Sequence, residues 1–130
     1  MDETTDVTAA IIEKEGRFLI AKRKKGQHLE GKWEFPGGKI ENNETPEECL
    51  KRELREEFDI IVEIGNFVAE SCFQYGGRSF RLLGYKTKYI SGEFILNAHD
   101  EIKWINLNEF SKFDFAEADL PLIDKIIRIA

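Results

Sequence analysis

The sequence predicts an α+β fold, a mixed β-sheet packed by helices. Three observations lead there. Strand-like apolar runs outnumber helical ones along the chain. Only two segments carry a helical repeat together with end signals. Those two do not alternate with strands, as a parallel βαβ sheet requires. The 130 residues suit one domain, residues 1–130. A chain of this length buries roughly two-thirds of its unfolded surface and needs no disulfide staple.

Residues 8–14 (TAAIIEK) are rich in strand formers, Glu15-Gly16 reads as a turn, and residues 17–23 (RFLIAKR) follow as a second strand. The pair predicts an antiparallel hairpin. Residues 24–32 are polar with two glycines and predict a loop. Trp33-Glu34-Phe35 is a short strand, stopped by Pro36-Gly37-Gly38. A helix is expected over residues 46–58. Thr45 suits the N-cap, Pro46 the first helical position, and Glu48 completes a capping box. Leu50, Leu54 and Phe58 recur every four residues as its buried stripe. Residues 60–73 and 78–90 read as strands joined by the turn Tyr75-Gly76-Gly77-Arg78. Ser91-Gly92 marks another turn, residues 102–105 a short strand, and residues 107–110 a helical turn. A last helix is expected from Asp119 to Ile129.

The acids of the first helix are not scattered. Glu53, Glu56 and Glu57 fall at i, i+3 and i+4 and so project from one face. Leu50, Leu54 and Phe58 anchor the neighbouring face on the core. A solvated helix face is the simpler reading of an acid-rich helix. The setting points elsewhere, because a capped helix, a preceding Gly-Gly and a buried partner stripe occur together. Crowded carboxylates raise one another's pKa, and a divalent cation relieves that repulsion. Mg²⁺ prefers hard oxygen ligands and takes carboxylates together with substrate phosphates. Pro36-Gly37-Gly38 allows backbone to approach a ligand closely.

The spacing of Gly38, Glu44, Arg52, Glu53, Leu54, Glu56, Glu57 and Ile60 resembles the signature of the Nudix hydrolases, across 23 positions. The one departure is Asp59, where that family usually has Gly. The position ends the helix and calls for a left-handed residue, which Asp tolerates better than most. Residues 21–25 (AKRKK), 31–41 (GKWEFPGGKIE) and 115–126 (FAEADLPLIDKI) are similar to the MutT branch of the family.

The resemblance implies a Nudix fold, with the mixed sheet sandwiched between helices. It implies a Mg²⁺-dependent enzyme, with Mn²⁺ as a substitute, that cleaves a nucleoside triphosphate to the monophosphate and pyrophosphate. The implied substrate is an oxidised or otherwise modified nucleotide, or a cytidine-type one. Other nucleoside diphosphate derivatives, such as dinucleoside polyphosphates or nucleotide sugars, and a non-catalytic nucleotide-binding domain are the alternatives.

By matching positions, Glu53, Glu56 and Glu57 would hold the metal, with the Gly37 carbonyl contributing. Glu53 would also orient or deprotonate the attacking water. Arg52 and Glu44 would pair and brace the loop against the helix. A further ligand is expected from Asp100 or Glu101, before Trp104, with Glu101 preferred. Arg23 and Lys39 are expected at phosphate or base. Phe35, Phe73, Tyr75 and Arg78 are candidate base contacts. His99 could touch substrate, but a lone exposed histidine is usually passive, and His28 is read the same way. Asp119 is either the N-cap of the last helix or the reader of the base edge. An ionised Asp119 would favour a donor-rich edge such as cytosine N4, and a protonated one an oxidised purine.

The net charge is −6. That is the wrong sign for a binder of nucleic-acid polymers. Residues 41–59 hold eight acids and three bases, so the helix segment carries −5 and the remaining chain −1. The acidity therefore belongs to the expected metal site. The N-terminus is polar and acidic, unlike a targeting segment. Apolar runs fall far short of the ~18 residues of a membrane span. Cys49 and Cys72 lack metal-ligand spacing and read as plain thiols, so a cytoplasmic protein is expected.

Overall fold

The computed structural model describes residues 3–130. Its strands are β1 (Thr4–Lys14), β2 (Arg17–Arg23), β3 (Trp33–Glu34), β4 (Ile61–Tyr75), β5 (Arg78–Ser91) and β6 (His99–Ile105). Helix α1 spans Pro46–Phe58 and α2 spans Leu120–Ile129. A short 3-10 helix covers Leu107–Lys112.

β1 lies parallel to β5, from Thr4↔Ser79 to Ile12↔Thr87, and β4 is antiparallel to β5. β2 is antiparallel to both β3 and β6. The sheet is therefore mixed, as expected. The β1–β2 hairpin is shorter than the sequence suggested, pairing only Glu13↔Phe18 and Lys14↔Arg17. Beyond the turn the strands part, and residues 36–40 take the freed edge of β1. The Thr8 and Ala10 amides donate to the Gly38 and Pro36 carbonyls, both at 2.7 Å, and the Ile40 amide to Asp6 at 3.0 Å. This wedge sets the Gly-Gly beside the start of α1.

β1 and β2 are apolar on both sides because a helix covers each face. Ala10, Ile12, Leu19 and Ala21 pack with Leu50, Leu54 and Phe58 of α1. Ala9, Ile11, Phe18 and Ile20 pack with Leu122, Ile123 and Ile126 of α2. Full burial of each large apolar side chain in these layers is worth about 1.5–3 kcal/mol. Among the described residues no helix is long and apolar enough to cross a membrane.

α1 is delimited as its sequence requires. The Glu48 amide donates to Thr45 Oγ1 at 3.1 Å, and the Thr45 amide to Glu48 Oε1 at 2.9 Å. Asp59 closes the helix in the left-handed region at φ 56°, ψ 41°. Its carboxylate accepts from Arg55 Nε at 3.0 Å, which helps a non-glycine residue hold that conformation.

Candidate functional site

Arg52 ties the loop before α1 to the helix. Its Nε and Nη2 donate to Glu44 at 2.6 and 3.0 Å. Nη1 donates to Glu53 at 2.9 Å and reaches Glu56 at 3.4 Å, while Nη2 also donates to the Lys39 carbonyl at 3.1 Å. A forked guanidinium–carboxylate pair of this kind is strong and directional. It pulls the Glu44 pKa from 4.5 to about 2, with help from the Glu41 amide. Glu44 in return raises the pKa of Arg52.

The two glycines admit the helix carboxylates. A Cβ on Gly38 would stand 2.5 and 2.6 Å from the two Glu53 carboxylate oxygens, and one on Gly37 would collide with the Thr8 carbonyl. The loop therefore passes between β1 and Glu53 with no room for side chains. One turn further along, Glu57 is buried, with its carboxyl against that of Glu53. Burial pushes the Glu57 pKa up to about 10, and the Glu53 hydrogen bond and the Glu34 and Glu53 charges act in the same direction.

Two residues that the sequence reading passed over join this centre. His99 is 5% exposed, which corrects the expectation of an exposed, passive histidine. Its ring stacks on Phe58, with centroids 5.3 Å apart and planes at 13°. His99 Nε2 lies 2.9 Å from Glu34 Oε2. Its Nδ1 faces Glu57 Oε1 at 3.7 Å and has no hydrogen-bond partner. Glu34 also accepts from Arg23 Nη1 at 3.0 Å. Arg23 Nε donates to the His28 carbonyl at 2.6 Å, and the His28 ring packs against Tyr75 with centroids 4.0 Å apart and planes tilted by 31°. His28 is exposed but not passive, because it joins the β2–β3 loop to the tip of the β4–β5 hairpin. Only the hydrogen-bonding character of Glu34 and His99 in the sequence hinted at this network.

Asp119 lies at the start of α2 and is 4% exposed. It stands at the N-cap position of α2, but with helical dihedrals and no side-chain cap bond, so its carboxyl does not cap the helix. Burial raises its pKa well above the usual value, and the nearby Glu34 charge adds to this. The Phe35 amide and Arg23 oppose it. Asp119 and Glu57 therefore both feel Glu34 and Arg23.

The remaining candidates lie as follows. Phe35 is a core residue, 3% exposed and flanked by Phe110 and Phe115; its ring does not line an open cleft. Phe73 stacks on Phe80 at 5.2 Å. Arg78 is exposed at the hairpin turn. The Lys39 ammonium lies 6.0 Å from the Phe80 ring. Glu101 is not brought to the helix carboxylates. Ile102 and Trp104 pack on the α1 side, so alternation turns Glu101 to the other face. The register shift at Lys22/Arg23 leaves Asp100 as an extra residue and brings His99 to the α1 side in its place. Glu101 pairs with Lys103 at 3.5 Å, and Asp100 accepts from the Lys25 amide at 2.9 Å.

A NUDIX domain model matches residues 3–126. The chain belongs to the NUDIX domain family. The CTP pyrophosphohydrolase of Escherichia coli K12 is 34% identical to this Nudix chain over 124 residues, 95% of this chain and 92% of that protein. The 8-oxo-dGTP diphosphatase of the same organism is 31% identical over 124 residues, 95% and 96% of the two chains. The solution structure of the E. coli ORF135 protein superposes with a TM-score of 0.90 at 33% identity, covering 98% of this chain and 91% of that one.

Nudix hydrolases cleave phosphoric anhydride bonds and generally use divalent metal ions. The donor set here fits a hard cation, since Glu53 and Glu57 press together over a Gly38 cradle that a Cβ would fill. Among the described residues, no three ligating side chains already converge on one point. Arg52 holds Glu53 and draws on Glu56, and the Glu56 contact, at 3.4 Å and 60% side-chain exposure, is the looser one. A cavity of about 590 Å³ lined by Ile11, Phe18, Val68, Lys86 and Ile126 contains none of these groups.

Proposed function

We propose that this single Nudix domain is a Mg²⁺-dependent nucleoside triphosphate pyrophosphohydrolase. It hydrolyses the bond between the α and β phosphates of a cytidine-type or oxidised nucleotide, giving the monophosphate and pyrophosphate. The observation that carries this reading is the Glu53–Glu57 carboxyl pair over the Gly37–Gly38 backbone.

Glu53, Glu56 and Glu57 would hold the cation, with the Gly37 carbonyl beside them. When bound, the cation neutralises phosphate charge and lowers the pKa of water. Glu53 orients the attacking water and accepts its proton. Arg52 and Glu44 fix the loop so that Glu53 keeps its direction. Lys39 and Arg23 meet the phosphates, Arg23 from its place between Glu34 and the His28 carbonyl.

Asp119 supports the choice of base. Its desolvated carboxyl stays neutral well above the usual range, and a neutral carboxyl offers one donor and one acceptor. Cytosine presents the N4 donor beside an acceptor at N3. Guanine presents two acceptors at N7 and O6, and oxidation at C8 turns N7 into a donor. Both matching edges agree with what the relatives are named for, CTP and 8-oxo-dGTP.

The test is pyrophosphate release across a nucleotide panel, with unmodified guanine and adenine triphosphates as comparison. Preference for cytidine-type or 8-oxo-purine triphosphates supports the reading. Faster release from the unmodified purines, or none from any nucleotide, contradicts it.

A further inference from the structure

Thr8 precedes the buried apolar run Ala9-Ala10-Ile11-Ile12 of β1 and is itself 1% exposed. Valine would suit that place in a strand and brings no polar atom to satisfy. The hydroxyl has a specific use. Hydrogen-bonded partners across an antiparallel ladder normally exchange two bonds. Thr8 and Gly38 exchange one. The Thr8 amide donates to the Gly38 carbonyl at 2.7 Å, while the Gly38 amide has no backbone partner among the described residues. Its acceptor is instead the Thr8 hydroxyl, at a long 3.5 Å. The same hydroxyl donates to the Gly38 carbonyl at 3.1 Å. Thr8 therefore touches both peptide units of Gly38. Cys49 Sγ of α1, 3.3 Å from Thr8 Oγ1, closes the space behind it.

The consequence falls on Gly37. In a trans peptide the carbonyl of one residue points opposite to the amide of the next, and the described residues contain no cis bond. Leaning the Gly38 amide on Thr8 turns the Gly37 carbonyl away from β1. Two successive glycines would otherwise leave that peptide unusually free to rotate.

We propose that Thr8 is a positioning residue: its hydroxyl takes the ladder bond that the Gly38 amide does not make, and so fixes the direction of the Gly37 carbonyl. The inference rests on the cation-binding reading above, in which that carbonyl stands beside Glu53, Glu56 and Glu57. A carbonyl polarised by a cation makes the N–H of its own peptide a stronger donor. The 3.5 Å contact is placed to take up that gain. Groups that orient a metal ligand from behind typically change metal affinity about 10–100-fold when lost.

Thr8→Val keeps the shape of the side chain and removes the hydroxyl; Thr8→Ser keeps the hydroxyl and removes the methyl. Mn²⁺ binding to the intact chain, without nucleotide, is measured by electron paramagnetic resonance for wild type and both variants, with the melting temperature of each. Exchange of the Gly38 amide is followed by NMR in the same proteins, with and without Mg²⁺. The expected result is that Thr8→Val weakens Mn²⁺ binding about tenfold and speeds Gly38 exchange, while Thr8→Ser restores both. Unchanged affinity in Thr8→Val overturns the inference. So does an equal loss in both variants, because the loss then does not follow the hydroxyl. If Thr8→Val does not fold, wild type decides. Protection of the Gly38 amide that rises on adding Mg²⁺ supports the inference, and exchange that Mg²⁺ leaves unchanged overturns it. If wild type itself binds no Mn²⁺, the cation reading fails and takes this inference with it.

Discussion

The carboxylate of Glu53 occupies the space into which a Cβ on Gly38 would project, its oxygens 2.5 and 2.6 Å from that point. Gly38 is not in the left-handed region, so alanine there meets no backbone strain. What must move is the Glu53 carboxylate. Gly38→Ala is therefore expected to fold with a melting temperature within a few degrees of wild type. Its pyrophosphate release should fall by about two orders of magnitude, the scale of a misplaced catalytic group. A variant of near wild-type activity would remove Glu53 from the centre of the account.

Glu57→Gln tests the second carboxyl. The amide is close in shape to the protonated acid and keeps the packing. It withdraws the charge that a cation needs, so turnover is expected to drop by at least about two orders of magnitude. Steady-state rates at saturating Mg²⁺ check this. Retained turnover contradicts the assignment.

Glu44 and Arg52 give an acid-side prediction. The Arg52 fork holds the folded Glu44 pKa at about 2 against 4.5. A depressed carboxylate contributes stability above its unfolded pKa, and the contribution disappears as pH falls from about 4.5 toward 2. Glu44→Gln should thus melt below wild type at pH 6, and the difference should shrink on titration to pH 2.5. A pH-independent difference would mean that the pair acts by packing alone.

Asp119 behaves in the opposite sense. Its folded pKa is raised, so the stability of the neutral form is complete near pH 3.8 and is lost as pH rises toward the folded value. Asp119→Asn should gain on wild type in melting temperature between pH 4 and pH 8. The same variant should change relative rates across bases, since an amide presents its donor and acceptor differently. An unchanged base preference would leave Asp119 as a buried packing group.

Much of this was legible in the chain. Thr45, Pro46 and Glu48 delimit α1 by local hydrogen bonds, and the i+4 spacing of Leu50, Leu54 and Phe58 fixes which face is buried. The direction of Glu53 and Glu57 follows from those two facts. His99 was not legible, because its burial depends on Phe58 and Glu34, which are distant in sequence. Glu101 follows from alternation, since Ile102 and Trp104 pack on the α1 side and turn it to the other face. One extra residue opposite Lys22 and Arg23 then brings His99 rather than Asp100 toward α1, and no local pattern announces the bulge. The parting of β1 from β2 depends on residues 36–40 competing for the edge of β1, a long-range contact as well.

Phosphorus NMR of the products tests the central claim most directly. CTP and an 8-oxo-purine triphosphate are incubated with the protein in Mg²⁺ and in excess chelator. The account predicts monophosphate and pyrophosphate in Mg²⁺ and unreacted triphosphate in chelator. Diphosphate with orthophosphate, or equal hydrolysis in chelator, would contradict it.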